Sequence, residues 1–339
     1  MADLNLKTRY MGIELKNPIV VGSCNLVTDT DNLKKIEEAG AAAVVYKSLF
    51  EEQIQVESMQ HDEEIEAHNE MHAEMTSMFP GIKHAGPEEH LLNLRKAKES
   101  IGIPVIASLN AVNKETWLEY AKKIEQTGVS AIEINLYNTP RDKDVSSSSI
   151  EKEQIELLVE LKKSLKIPIA VKLSPFYANP LHVIAEMDKT GVDAFVLFNK
   201  LFQPELDIEK IQHVFPLNLS HPGDYNLSLR YAGLLHGNIN ANITANGGIY
   251  NGDEIVKLLL AGATNVQVVS AIYRHRYDVI KKMLFELESW MTRKGFSSID
   301  EFRGKLSKAN IKDPYAYKRS QYVDILMNSE LYTKKYNQI

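Results

Sequence analysis

Short apolar runs that follow a glycine recur four times along the chain. In each copy a polar, helix-like segment ends at Gly, small residues follow, and a largely apolar run comes next. The copies span residues 38–45, 126–135, 189–197 and 260–266. Glycine fits the left-handed position that closes a helix. A continuous apolar run is typical of a strand buried on both faces, as in a parallel sheet. The unit therefore predicts a helix followed by a buried parallel strand.

Four further apolar runs alternate with these units, and three of them begin with Pro, which is tolerated at the first residue of a strand. They span residues 18–21, 104–108, 168–172 and 242–245. Helices are predicted between strands, for example at 117–126, 150–164 and 252–260. Ser148 and Glu151 have the spacing of a capping box for the second of these. Eight strands alternating with helices predict an α/β fold, a (β/α)8 TIM barrel, with a doubly wound open sheet as the competing architecture.

The last two predicted strands end in residues suited to a phosphate. One run ends in Gly247-Gly248 and the next in Ser270-Ala271. Backbone N–H groups approach an anion closely only where no side chain intervenes. The loops after strands 7 and 8 of a TIM barrel, helped by a helix N-terminus, are a frequent phosphate site. The pattern predicts a phosphorylated ligand at this end of the barrel.

The amino-acid composition disfavours several classes of protein. The chain has 339 residues, 44% hydrophobic residues and a net charge of −6, which disfavours a nucleic-acid surface. The single cysteine, Cys24, excludes an internal disulfide framework and suits a reducing compartment. No apolar run reaches the roughly 18 residues of a transmembrane helix, and the N-terminus has no secretory pattern. These features predict a cytoplasmic protein without a membrane partner.

The predicted organisation is a barrel over residues 1–300 with a long insertion at 51–90, then an extension at 301–339 that packs on the barrel or on a partner subunit. Residues 51–78 carry nine acidic residues and no Lys or Arg. Long loops in compact domains are usually functional or disordered. Because this one follows strand 2, we expect it at the face where barrel enzymes have their active sites.

Polar residues at the ends of the predicted strands form the candidate site. Two are lysines, Lys47 and Lys172, which directly follow buried runs. Burying an ammonium is costly unless an anion or dipole meets it, so these lysines indicate anion or electron-rich ring stabilisation, with a structural salt bridge as the alternative. Asparagines at equivalent positions favour a polar ligand over simple turn formation. The other strand-end candidates are Ser23, Asn110, Asn135 and Asn199.

Other chemical groups are weaker candidates. His68 and His72 stand four residues apart and could share a metal with Glu64, but a solvated helix with an apolar Met stripe is the favoured interpretation, so no metal is predicted. Cys24 is better explained as a small buried residue than as a nucleophile. The basic run 274–276 could face either a phosphate or solvent.

The strand ends, taken in order, resemble the dihydroorotate dehydrogenase family of FMN-containing barrels. The similarity runs from residue 12 to residue 271, and the best-matching segments are 17–18, 171–175, 246–249 and 261–263. The absence of an N-terminal membrane-binding extension makes it similar to the soluble branch.

The resemblance implies a role for each matched position. Gly247, Gly248, Ser270 and Ala271 would hold the FMN phosphate, and Lys172 would contact the flavin and its ribityl chain. Lys47 would lie near flavin and substrate. Ser23 would belong to the cofactor site, and Asn110, Asn135 and Asn199 would contact flavin or substrate. In the family a base removes a proton from the substrate while a hydride goes to flavin N5.

The loop after strand 4 departs from the family pattern. Asn138 occupies the position of the Cys or Ser base, and Pro140 replaces an Asn expected to contact the substrate. A carboxamide has no useful basicity near pH 7. His221 also stands where the family usually has Gly. The resemblance therefore implies a retained FMN site and an altered dihydroorotate site.

The leading hypothesis is an FMN-dependent oxidoreductase that oxidises dihydroorotate or a related CH–CH substrate, in the pyrimidine biosynthesis class, as a homodimer. One alternative is a flavin barrel with a different substrate, or with little turnover of its own, which docks on a redox partner. The other is a non-redox barrel acting on a phosphorylated substrate. The electron acceptor stays open, since neither an iron–sulfur Cys set nor a clear nicotinamide-binding fingerprint is present.

Overall fold

A closed barrel of parallel strands forms the centre of the molecule. The computed structural model describes residues 4–54, 86–137, 143–201 and 205–329. The eight barrel strands, numbered in chain order, are β1 (Ile19–Val21), β2 (Ala43–Val45), β3 (Val105–Asn110), β4 (Ala131–Leu136), β5 (Ile169–Leu173), β6 (Ala194–Leu197), β7 (Asn242–Asn246) and β8 (Asn265–Val268). Each pairs with its neighbours in this order, and β8 pairs with β1, so the sheet closes. The predicted TIM barrel is confirmed, and the open sheet is excluded.

Helices surround the barrel and follow the strands. They are α1 (Thr30–Glu38), α2 (Pro87–Ser100), α3 (Lys114–Glu125), α4 (Ser147–Ser164), α5 (Pro180–Asp188), α6 (Asn226–Leu235), α7 (Gly252–Ala261), α8 (Ser270–His275), α9 (Asp278–Lys294) and α10 (Arg319–Met327). The helix after β2 begins at Pro87, inside the segment 51–90 expected to be an insertion.

The four glycines of the repeated unit close helices as predicted. Gly40, Gly128, Gly191 and Gly262 have φ angles of 103°, 81°, 83° and 120°. A residue with a Cβ would be strained in this region, so glycine ends the helix and turns the chain toward the next strand. The apolar run after each glycine is buried because both faces of a barrel strand are covered.

The predicted capping box of α4 is wrong. The N-cap is Ser146, whose side chain accepts a hydrogen bond from the Ser149 amide at 3.2 Å, and the helix begins at Ser147. Four consecutive serines offer equivalent hydroxyls here, so residue spacing alone did not identify which one caps the helix. A reciprocal capping box is present at α7, where it is formed by Asn251 and Glu254.

A two-stranded hairpin closes the N-terminal end of the barrel. Its strands, Thr8–Tyr10 and Ile13–Leu15, are joined by a tight turn through Met11 and Gly12, both at positive φ. Tyr10 packs against small and branched residues of the barrel interior, which leave room for its ring. This end of the barrel is therefore filled, and the opposite end is left for a ligand.

Residues 302–317 of the last described segment lie against α6, α7 and α9. Phe302 is buried in an aromatic cluster with Trp290 and Phe296. The amide of Leu306 donates to the carbonyl of Leu260, 2.8 Å away. Within the described ranges, none of the helices has the length and apolar character needed to cross a membrane.

Candidate active site

A cavity of about 330 Å³ lies at the carboxyl ends of the barrel strands. Small-molecule sites are usually about 300–1,000 Å³, and barrel enzymes place them at this end. The residues that line it come from β5, β7 and β8 and from the loops that follow β1, β2, β6, β7 and β8. Among the predicted site residues it brings together Ser23, Lys47, Lys172, Asn199, Gly247, Gly248 and Ser270.

The Gly247-Gly248 turn has no space for a side chain at Gly248. Both residues have positive φ, 98° and 62°. A Cβ on Gly248 would lie 2.0 Å from the carbonyl oxygen of His221. Ser228 holds the end of β7 from behind, because its hydroxyl lies 2.7 Å from the Asn246 carbonyl oxygen. The bare backbone of this turn therefore faces the cavity at close range, as an anion cradle requires.

Ser270 joins two walls of the cavity. Its hydroxyl accepts a hydrogen bond from the amide of Ser220 at 2.9 Å. The carbonyl of Ser220 in turn accepts from the hydroxyl of Tyr250. Ser270 and the buried Ala271 begin α8, so their N–H groups have no carbonyl acceptor within the helix. The turns after β7 and β8 thus lie side by side at the cavity.

Lys172 reaches the floor of the cavity from the inner face of β5. Its ammonium lies 3.4 Å from the carboxylate of Glu133 and 3.5 Å from the side-chain oxygen of Gln267. Lys172 is 7% exposed. Burying an ammonium is costly without a partner, and Glu133 provides one.

A chain of hydroxyls runs along the opposite wall. Ser23 accepts from the amide of Ser48 at 3.0 Å, and Ser48 lies 2.7 Å from Ser108 through its hydroxyl. These contacts hold together the ends of β1, β2 and β3, and they place the half-buried Lys47 at the cavity. Its positive charge acts on His90, whose pKa is lowered to about 4, mainly by burial and then by Lys47.

The strand-end asparagines are adjacent in space, but only one of them lines the cavity. The amide nitrogen of Asn199 donates to the side-chain oxygen of Asn135 at 2.8 Å. Asn135 is level with Lys172 on the neighbouring strand. Asn110 ends β3 and is buried beside the short strand Leu49–Phe50. Asn135, Asn110 and Ala271 do not line the cavity wall.

Two weaker candidates, Cys24 and the basic run 274–276, lie at or near the rim of the site. Cys24 borders the cavity, and burial raises the pKa of its thiol, which favours the protonated form over a nucleophilic thiolate. The basic run 274–276 is exposed, and the guanidinium of Arg274 lies 6.0 Å from the centre of the Tyr250 ring. Of the two interpretations of this run, the structure favours the solvent-facing one.

Several sequence predictions fall outside the described residues. These are Asn138 and Pro140 in the loop after β4, and His68, His72 and Glu64 in the insertion. Among the residues that the structure does describe, no group of three or more His, Cys, Asp or Glu side chains could hold a metal ion.

Sequence reasoning missed two residues, Gln267 at the cavity floor and Glu133 directly beneath it. Both lie within apolar strands and are 1% exposed. Side chains alternate along a strand, so Glu133 shares the inner face with Asn135. A charged residue in phase with a predicted site residue was the signal that could have revealed it.

Comparisons with known proteins point to one family. Residues 5–291 match the family model described as dihydroorotate dehydrogenase. Similar curated proteins are catalytic subunits of dihydroorotate dehydrogenase B (NAD(+)). The protein from Thermoplasma volcanium is 29% identical over 305 residues, covering 88% of this chain and 98% of the relative. Those from Methanocaldococcus jannaschii and Pyrococcus furiosus are each 26% identical, covering 86% and 90% of this chain and 95% and 100% of the relatives.

Proposed function

Because the chain belongs to the dihydroorotate dehydrogenase family, we propose that it is an FMN-dependent oxidoreductase acting on a CH–CH bond. The substrate in this proposal is dihydroorotate or a closely related dihydropyrimidine. The observation that supports it most directly is the cavity itself, in which a bare glycine turn, Ser270 and Lys172 face one space.

The cavity fits FMN in its chemistry. In this proposal the turns after β7 and β8 offer backbone N–H groups to one phosphate, and a side chain at Gly248 would collide with the carbonyl of His221. Lys172 at the floor suits an electron-rich ring that gains negative charge on reduction. We propose Gly247, Gly248, Ser270 and Ala271 as the phosphate site and Ser23 as a further cofactor contact. FMN, when bound, supplies the acceptor for the hydride that leaves the substrate.

We propose that the substrate binds between Lys47 and the Asn135–Asn199 pair. Lys47 offers a cation to an anionic substrate group, and the asparagine amides offer donors and acceptors to ring amides and carbonyls. Because these two asparagines are hydrogen-bonded to each other, one orients the other. Asn110, behind this pair, is proposed to support the flavin side of the site.

A second candidate function rests on the loop after β4. Asn138 stands at the position of the family base and cannot accept the substrate proton near pH 7. A flavin barrel with another substrate, or with little turnover alone, therefore remains the alternative proposal.

We also propose a partner subunit. The relatives are named as catalytic subunits of an NAD(+)-linked enzyme, and a catalytic subunit implies a second protein that takes the electrons onward. A homodimer of this chain is proposed as the core of such an assembly, in the cytoplasm. Affinity purification from the native cell under mild conditions, with identification of stoichiometric partners, tests both points.

Two measurements test the proposed function. The purified protein should be yellow, and chromatography of the heat-released cofactor should identify FMN; FAD, or no flavin after reconstitution, would contradict the cofactor proposal. Anaerobic mixing with dihydroorotate should then bleach the flavin absorption. A yellow protein that dihydroorotate does not bleach would favour the second candidate.

A further inference from the structure

A buried carboxylate lies directly beneath the cavity, at a place where barrel interiors are usually apolar. Glu133 is in the middle of β4, between Ile132 and Ile134, and is 1% exposed. It is level with Ala170 on β5 and with Ser108 on β3. Its side chain does not line the cavity itself. It therefore lies one layer below any ligand.

Three side chains from three strands form a ring there. Glu133 accepts a hydrogen bond from the amide nitrogen of Gln267 through one oxygen, and its other oxygen lies 3.4 Å from the ammonium of Lys172. The same ammonium is 3.5 Å from the side-chain oxygen of Gln267. Lys172 and Gln267 line the cavity, so the ring connects the buried carboxylate to the floor. An ammonium has three donors. Gln267 accepts from one of them, and the contact with Glu133 is an ion pair without a hydrogen bond, so donors are left for a ligand above.

The ring is poorly suited to a purely stabilising role. Burying an ion pair usually costs as much as its attraction returns, and apolar replacements of such pairs are often neutral or stabilising. The carboxylate oxygen nearest Lys172 has no hydrogen bond within the part of the chain that the structure describes. A pair that is this incompletely satisfied contributes little to folding, but it holds a charged group at one position.

We infer that Glu133 is a positioning residue for the flavin site. It holds the ammonium of Lys172 at the cavity floor, and its negative charge offsets that of the lysine. A lone cation below the flavin would favour the negatively charged reduced cofactor strongly. The paired carboxylate weakens that preference and so lowers the midpoint potential of the bound flavin. This inference rests on the proposed function, since it requires that FMN occupies the cavity.

The test compares FMN affinity and midpoint potential in the wild-type protein and in Glu133→Gln. Glutamine keeps the shape and can still hydrogen-bond Gln267, but it removes the charge. The reduced cofactor should then bind at least about tenfold more tightly relative to the oxidised one, a rise of about 30 mV for a two-electron couple. Glu133→Asp keeps the charge, and its potential should stay closer to that of the wild type.

Tyr10→Phe is the matched control. Tyr10 is buried in the same barrel interior, and its pKa is raised by burial and then by the charge of Glu133, so its phenol is neutral. Removing this hydroxyl changes the packing and polarity of the interior but not its charge. Its flavin potential should equal that of the wild type. A shift in Tyr10→Phe as large as in Glu133→Gln would show a general response to core substitution and would overturn the inference.

The other possible results for Glu133→Gln also support or overturn the positioning role of Glu133. An unchanged or lower potential in Glu133→Gln overturns the inference while leaving the proposed function intact. If Glu133→Gln alone does not fold, Lys172→Gln is compared with the double variant Glu133→Gln/Lys172→Gln. The double variant should have the higher potential, and equal values would overturn the inference. A wild-type protein that binds no flavin would overturn both the proposed function and this inference.

Discussion

Replacing Gly248 by Ala should damage the proposed phosphate site through two separable effects. Its φ of 62° is left-handed, which costs a residue with a Cβ about 1–2 kcal/mol. The new Cβ would also lie 2.0 Å from the carbonyl oxygen of His221, so that carbonyl must retreat by more than about 1 Å to reach a normal contact. The same oxygen accepts from the Asp224 amide at 3.1 Å, and this turn would open.

The displaced turn should weaken FMN binding measurably. A hydrogen bond to a charged group contributes about 1.5–3 kcal/mol. The loss of one such bond to the phosphate therefore corresponds to about 10- to 150-fold weaker binding. The assay is titration of cofactor-free protein with FMN, followed by quenching of the flavin fluorescence. Wild-type affinity in Gly248→Ala would refute the assignment of the phosphate to this turn.

Gly12→Ala separates backbone strain from the clash. Gly12 has a φ of 78°, and a Cβ there would meet no heavy atom within 4 Å. It lies in the hairpin at the opposite end of the barrel. This control should lose about 1–2 kcal/mol of unfolding free energy and keep its FMN affinity. Equal losses of affinity in both variants would mean that binding responds to stability rather than to the turn.

Three other predictions concern single side chains. Lys172→Ala should weaken FMN binding and lower the flavin midpoint potential, because a cation is lost from the cavity floor; no change in either would leave Lys172 structural. The pKa of His90 is about 4 when folded, lowered by burial and by Lys47, and about 6.5 when unfolded. The unfolded chain therefore binds the extra proton, and stability should fall by up to about 3 kcal/mol as pH drops from about 6.5 to about 4. His90→Phe should flatten that part of the pH–stability curve, and an unchanged slope would contradict it. Asn138→Cys, alone and with Pro140→Asn, should raise the rate of flavin reduction by dihydroorotate, by as much as ~10²–10⁴-fold if only the base is missing; fast reduction in the wild type would show that the base lies elsewhere.

The barrel was predictable because its signals are local. A glycine that closes a helix and the apolar run that follows it both lie within ten residues. Each predicted strand is present, and the four runs for which strand bounds were predicted have ends shifted by at most two residues. The strand-end lysines and the Gly247-Gly248 turn could be assigned to one face for the same reason. Parallel strands of a barrel all point one way, so polar residues at their carboxyl ends must converge.

Contacts between distant strands could not be predicted in this way. Glu133, Lys172 and Gln267 are far apart in sequence and meet only because β4, β5 and β8 face one interior. The choice of Ser146 as the cap of α4 depends on where the preceding loop delivers the chain. Neither the ring of three side chains nor the choice of cap can be predicted from the spacing of nearby residues, because both depend on how distant elements pack together.

The proposed cofactor contacts lie on the barrel strands, whereas the proposed proton acceptor belongs to a connecting loop. The proposed phosphate and flavin contacts lie at the ends of strands that are hydrogen-bonded to a neighbour on both sides. Substitutions at these contacts therefore also disturb the packing of the barrel. The resemblance to the family implies that the proton acceptor stands in the segment after β4, where Asn138 and Pro140 depart from the family pattern. Substitutions on a connecting loop leave the core packing intact. Under the proposed function, such a chain can keep its cofactor while its substrate changes, and we expect the loop after β4, rather than the barrel, to decide which substrate this protein oxidises.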